Sequence, residues 1–255
     1  MDPEIEEEIA ESAPRQNAFQ RLLGICFDPR ETLQGIARHP TWVFPLLLSL
    51  ILVSIPLVLQ VERVPREIRA KAQAEQAVRF VSGQEVKTIQ QRILSQPETA
   101  WTKFSQVPWI LTFGTLVTLA VVGVVLGAFL LSGCQLTYRN ALAAYCWSTF
   151  PPTLLAASLA VLFLYAKDPS DLNPLDPLSN IISHLGILAD EKGSPVLHSF
   201  LNSFDIFSFW RIYMLGLGLS LAASERTSLA KAITIITVLW LFYVLGKVGI
   251  TAILY

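Results

Sequence analysis

Three ionisable side chains, Asp205, Arg211 and Lys247, sit within or beside long apolar stretches of this 255-residue chain. A charge inside a bilayer costs several kcal/mol, so such a group usually faces a protein interior, a cavity or a partner. Asp205 stands just before an apolar run, where a carboxylate caps a helix and complements its dipole. Arg211 follows about 9 Å further along the axis by helical rise. That offset puts it off the Asp205 face, so no intrahelical pair is expected. Arg211 is open to snorkelling or to a functional pairing elsewhere, and Lys247 is expected to snorkel. His39, His184 and His198 are scattered, and only His184, His198 and Asp190 form a conceivable metal set. Cys26, Cys134 and Cys146 lack CxxC spacing and are odd in number, which fits neither a disulfide framework nor a zinc site. Apolar packing is the plain reading of Cys146. There is no GxSxG, HExxH or Walker-type loop. No catalytic residue, cofactor site or metal ligand is assigned, and a non-enzyme is expected.

The elements that must position these residues are five apolar runs, at about 42–60, 108–132, 141–166, 206–223 and 229–254. A hydrocarbon core of about 30 Å needs about 20 helical residues to cross it. In lipid every backbone polar group must be satisfied internally, so the runs are read as helices. Hydrophobic residues make up 53% of the chain and charged residues only 15%, well under the roughly 25% of soluble domains. The expected fold is therefore all-α, a five-transmembrane-helix bundle preceded by an interfacial amphipathic helix. The net charge of −1 gives no reason for a nucleic-acid partner.

Residues 1–16 read as an acidic, flexible tail carrying Asp2, Glu4, Glu6, Glu7, Glu8 and Glu11, without the features of a signal peptide. Residues 17–41 form the interfacial segment. Phe19, Leu22, Leu23 and Cys26 share one helical face, and Asp28–Pro29–Arg30–Glu31 starts a second helix with Leu33, Ile36 and Ala37 on its apolar side. With Arg15, Arg21, Arg30 and Arg38 alongside, this segment suits the headgroup region, or packing on the protein's own spans. Pro45 and Pro56 lie near the ends of the first span. In the polar stretch 61–107, Ser82/Glu85 and Ser95/Glu98 have capping-box spacing, and Trp101 and Trp109 mark the interface before the second span. Gly123 and Gly127 form a GxxxG pair, expected to pack on another span of the same chain. Pro151–Pro152 should kink the third span. In the second polar loop, 167–204, Leu178, Ile181, Ile182 and Leu185 predict a short amphipathic helix, and Ser194–Pro195 opens another.

Arginines flanking the first span nearly balance, so the positive-inside rule does not orient it. Arg139, Arg226 and Lys231 in the two tight turns outweigh Lys167 and Lys192 in the loop opposite. The expected topology has a cytoplasmic N-terminus, an external C-terminus and both polar stretches outside.

Three ordered motifs carry a resemblance. They are Phe19–Gln20–Arg21–Leu22–Leu23–Gly24 with Phe27–Asp28–Pro29–Arg30–Glu31–Thr32–Leu33, then Tyr138–Arg139–Asn140–Ala141–Leu142 with Ala144–Tyr145 and Pro151. The third is Ser203–Phe204–Asp205–Ile206–Phe207–Ser208–Phe209–Trp210 with Gly216–Leu217–Gly218–Leu219 behind it. Together, over about residues 18–254, they resemble the Yip family of Ypt/Rab-interacting proteins. The resemblance implies a five-span fold with a cytoplasmic N-terminus and, for eukaryotic members, Rab-type GTPase partners in vesicle traffic. This chain lacks their long polar N-terminal region and is similar to the prokaryotic branch, which argues against a GTPase partner and implies a plasma-membrane location. Arg211 is a second departure, standing where an apolar residue is expected. Asp205, Arg211, Phe207, Trp210, Gly123, Gly127, Tyr138 and Pro151 are the candidate functional or packing residues.

The resemblance and the amphipathic flanks favour a protein that organises membrane or partner proteins, in contact with lipid and with membrane-protein partners or further copies of itself. The alternative is a small transporter or channel using the fourth span, which requires a cavity reaching Asp205 and Arg211.

Overall fold

The computed structural model describes residues 16–78, 85–99, 101, 104–181, 183–190, 193–223 and 227–254. The acidic residues of the tail, Arg15, Ser82, Ile182, Glu191, Lys192, Glu225 and Arg226 lie outside these. The fold is all-α, and the described residues contain no strand beyond one isolated bridge, His184 to Asp205.

Two ten-residue helices open it, α1 (Ala18–Phe27) and α2 (Pro29–Arg38). Asn17 and Gln20 cap α1 reciprocally: Asn17 Oδ1 accepts from the Gln20 amide at 2.8 Å, and Gln20 Oε1 from the Asn17 amide at 2.9 Å. Asp28 ends α1 and caps α2, accepting from the Glu31 amide at 3.2 Å, with Pro29 in the first turn. Each helix is about 15 Å long by rise, too short to span. Ile25, Leu33 and Ile36 bury against Ala143, Trp147, Phe150, Met214 and Leu217. Phe19, Leu23 and Phe27 instead point outward. The predicted stripe of α1 is thus mostly its outer face, and Arg21 and Ile25 supply the inner one.

Four helices are long and apolar enough to cross a membrane: α3 (Val43–Arg63), α6 (Gln106–Leu131), α7 (Tyr138–Ala166) and α10 (Leu229–Leu254). The predicted fourth span is α9 (Ile206–Ala222), whose 17 residues rise about 25 Å, slightly less than the hydrocarbon core. Between them lie α4 (Arg66–Val78), α5 (Val86–Ser95) and α8 (Pro195–Leu201). Arg66 and Arg69 tie α4 to the segment after α5. Arg66 donates to the carbonyls of Ile93, at 3.0 Å, and Gln96, and Arg69 pairs with Glu98 at 2.6 Å. Ser95 ends α5 and turns its hydroxyl back to the Arg92 carbonyl, so the Ser95/Glu98 spacing caps nothing. The helix predicted around Leu178 and Leu185 is instead two single 3₁₀ turns, Pro177–Asn180 and Leu185–Leu188, with Ile181 after the first and His184 before the second both extended. Pro177 suits the start of its turn, and the pairing of His184 with Asp205 stops that turn from continuing into the next.

α7 is the axis of the bundle, in contact with α1, α2, α3, α6 and α9. Its buried face is rich in alanine, including Ala141, Ala144, Ala157 and Ala160, which lets neighbours approach closely. It runs unbroken through the buried pair Pro151–Pro152. Tyr138 starts it and donates its hydroxyl to the Leu119 carbonyl of α6 at 2.9 Å. At one end of the bundle α1, α2 and the α6–α7 and α9–α10 turns meet. There Arg139 reaches the Pro40 carbonyl at 3.3 Å, Trp147 Nε1 reaches that of Thr41 at 2.8 Å, and Lys231 reaches that of Ser132 at 2.7 Å. At the other end both polar stretches come together, where buried Gln60 donates to the Asn173 carbonyl at 3.0 Å.

Among the described residues Gly123 and Gly127 mediate no contact within the chain. A Cβ built at either meets nothing within 4 Å, which corrects the expectation of a same-chain seam there. The close approach lies in α9. A Cβ at Gly216 would come within 3.2 Å of the Ile233 backbone in α10, and one at Gly218 within 2.2 Å of Ser148 Oγ in α7.

Candidate functional site: a lateral cavity

α6 and α10 touch only sparsely, and the space between them and α9 is a cavity of about 810 Å³. The three charged residues singled out by the sequence all line it: Asp205, Arg211 and Lys247.

Each is placed by a local rule. Asp205 caps α9, its two carboxylate oxygens accepting from the Ser208 amide at 3.0 Å and the Ser208 hydroxyl at 2.5 Å. Its charge is therefore held by the helix terminus. Lys247 does not simply reach for solvent. It is half-buried and donates to Ser203 Oγ at 3.2 Å, across from α10 to the segment before α9. One turn on, Thr251 donates to the Lys247 carbonyl at 3.0 Å and lies 3.1 Å from Ser199 Oγ, fastening α10 to α8. Arg211 lies deeper. Among the described residues it makes no hydrogen bond or ion pair, with Asp205 or otherwise, and it is exposed to the cavity. Arg211 and Tyr145 also line a smaller cavity of about 180 Å³ toward α3, where Ser49, Thr118 and Thr149 add hydroxyls. They therefore stand on the wall between the two spaces.

The remaining walls of the large cavity are apolar: Val121 and Val124 from α6, Leu215 from α9, and Ile236, Leu239 and Trp240 from α10. Trp240 is held by Phe204, with ring centroids 5.2 Å apart, and by Phe209 at 6.1 Å. Asn202, Ser203, Asp205 and Lys247 gather at the end near the second polar loop, while Leu215 and Ile236 lie toward the middle of the spans. The chamber is polar at one end, apolar at depth, and carries one acid against two bases.

Of the other candidates, Phe207 is buried against Ala156, Ala160 and Ile181, with Trp210 beside it. Both hold α9 on α7, away from the cavity. Pro151 is buried inside α7 and Tyr138 acts at its start, so the structure does not bring these two to the chamber. Tyr145, Ser203, Ser208 and Trp240 are site residues that spacing did not single out. Only Ser208 left a signal, as the third residue after a capping aspartate.

Over the polar end lies His184, its ring 6.4 Å from that of His198 in a T-shaped arrangement. Burial pushes its pKa below the ordinary histidine range, and the nearby His198 and Lys247 charges add to this, while Asp205 opposes it. Among the described residues no group of three or more His, Cys, Asp or Glu side chains is placed to hold a metal ion, so His184, His198 and Asp190 do not form the metal set considered above.

Residues 23–248 match the Yip1 domain. No curated protein and no solved structure matches the chain.

Proposed function

The chain belongs to the Yip1 domain family, and on that footing we propose that it is a non-enzymatic membrane organiser. In this reading the gap between α6 and α10 receives a lipid or a partner's transmembrane segment from the side. The observation that carries it is the lateral cavity, polar at one end and walled by apolar side chains to mid-span. Such a chamber matches an amphiphile, whose head meets Lys247 and Arg211 while its chain lies along Val124 and Leu239. Arg21, Arg30, Arg38, Arg139 and Lys231 on the α1–α2 end favour a cytoplasmic placement of that end, in a prokaryotic plasma membrane. The open Gly123/Gly127 face is free for another copy or another membrane protein. A photo-crosslinker at Val124 or Tyr243 should capture lipid or a partner helix, and liposomes holding the protein should pass neither solute nor proton.

A second reading, transport through α9, is favoured by one observation: the cavity reaches Asp205, Arg211 and Lys247, as transport requires. A flux that is lost in both Asp205→Asn and Arg211→Gln, with folding intact, rejects the organising role.

A further inference from the structure

A second chamber, of about 570 Å³, lies at the opposite end of the bundle, between α1, α2 and the start of α7. Three guanidinium groups from three helices line it, Arg21 from α1, Arg38 from α2 and Arg139 from α7, and among the described residues no aspartate or glutamate does. The three are not equivalent. Arg21 is only 4% exposed, and its Nη1 donates to the His39 carbonyl at 3.0 Å and Thr41 Oγ1 at 2.7 Å. It shapes the wall by fixing the His39–Thr41 linker. Arg139 is exposed and gives one donor to the Pro40 carbonyl, leaving most of its fork available. Arg38 is exposed and makes no hydrogen bond or ion pair among the described residues.

The depth of the chamber in a membrane is set by its neighbours. On α1, Phe19 and Phe27 are 67% and 86% exposed and flank Leu23, a stripe that has to enter the acyl boundary. Phe44, exposed in the first turn of α3, lines the chamber beside Trp147, their rings 6.3 Å apart. Basic groups directly beside such apolar side chains stand at headgroup level. Arginine presents a planar fork of donors matched to phosphate oxygens.

We propose that this chamber is a phosphate site for an anionic phospholipid of the leaflet that α1 and α2 lie on. Arg38 and Arg139 hold the phosphate, and Arg21 keeps the linker in place behind it. The site is separate from the lateral cavity and independent of what that cavity receives.

The test uses the full purified chain in phosphatidylcholine nanodiscs doped with phosphatidylglycerol, with bound lipid counted by native mass spectrometry. Phosphatidylglycerol is expected to be retained over phosphatidylcholine. Arg38→Gln and Arg139→Gln are each expected to weaken it about fivefold, from about 1 kcal/mol per basic residue near a charged surface. Arg38→Lys should keep part of the preference. Arg38 makes no hydrogen bond or ion pair among the described residues, and Arg38→Lys keeps its charge in the last turn of α2, so thermal unfolding of the two variants separates folding from binding. Competition by inorganic phosphate at equal potency to short-chain phosphatidylglycerol would keep the phosphate chemistry but assign it to a soluble anion. No preference for the anionic lipid, or a preference unchanged in Arg38→Gln, overturns the proposal. So does a preference that emerges only when Glu4, Glu6, Glu7, Glu8 and Glu11 become Gln, which would make the acidic tail the occupant.

Discussion

The seam between α7 and α9 and the gap between α6 and α10 are built from helices of similar apolar character, yet one is filled and the other open. In the seam, Gly218 brings α9 against Ser148 and α7 answers with alanines, while Gly216 sets the same helix against the Ile233 backbone of α10. Across the gap, α6 and α10 each bury only three residues and present Val121, Val124, Phe242 and Tyr243 instead. Lipid chains are as apolar as these side chains, so hydrophobicity gives two spans no reason to meet. Close approach and hydrogen bonds decide, and the gap has them mainly at its ends: Lys231 to Ser132 at one, Lys247 to Ser203 at the other.

The strongest test of that contrast exchanges the same substitution between the two glycine sets. Gly218→Leu should destabilise by about 3 kcal/mol or more, or prevent folding, because the added carbons meet Ser148 and the Ala144 carbonyl. Gly123→Leu should stay within about 0.5 kcal/mol, since none of the described residues lies within 4 Å of its Cβ. Thermal unfolding of both variants in detergent gives the comparison directly, and equal losses would erase it. A double-mutant cycle sharpens it. Ser148 Oγ is buried without a hydrogen-bond partner, so Ser148→Ala should cost little alone and recover about 1 kcal/mol of the loss in Gly218→Ala.

A smaller effect is expected where α1 and α2 join the seam. Trp147 is fully buried against Ile25, Leu33 and Ile36, and its indole N–H satisfies the Thr41 carbonyl. Trp147→Phe keeps most of the packing but orphans that carbonyl, for about 1–2 kcal/mol. Limited proteolysis between α2 and α3 should quicken in the variant. An unchanged cleavage rate would mean that Arg21 and Arg139 hold the linker without the tryptophan.

At the mouth of the gap, Asp205→Ala should cost about 1 kcal/mol by removing the α9 cap, and Asp205→Asn less, because asparagine also caps well. Hydrogen exchange at the Ser208 amide separates this from a role in the cavity. If protection is lost equally in both variants, the carboxylate charge rather than the cap holds the turn.

How much of this was legible in the chain depended on whether the signal was local. The Asp205 and Asp28 caps, the two short N-terminal helices and the approximate extents of the long helices follow from residues within one turn of each other. So does α10, predicted at 229–254 and found at Leu229–Leu254. The glycine partners were not legible in this way. GxxxG at Gly123 has the right spacing, but spacing does not say which helix stands opposite, whereas Gly216 and Gly218 stand out only once α7 and α10 are in place. The cavity is of the same kind: Tyr145, Ser203 and Trp240 come from three parts of the sequence and meet only through packing. Leu178, Ile181 and Leu185 misled because helical spacing was read across a pairing segment, where the backbone serves the His184–Asp205 bridge instead.

The smallest expected effect lies in the loop over the open end of the gap, and it depends on pH. His184 Nδ1 is buried without a hydrogen-bond partner, and desolvation, with His198 and Lys247 nearby, holds its pKa below the ordinary value of 6.5, against the pull of Asp205. The folded loop therefore prefers the neutral ring. Above pH 6.5 both folded and unfolded chains leave it neutral, and its contribution is fully present. As pH falls below that value the unfolded chain takes up the proton first, and stability is lost until the folded-state pKa is passed. The unfolding temperature should thus decline as pH falls below about 6.5, and the slope should flatten in His184→Phe, which keeps a ring without the charge. The Gly123→Leu variant should keep the parent slope, because it acts on the outer face of α6 and not on this loop. A slope unchanged in His184→Phe would detach the mouth of the gap from proton binding at His184.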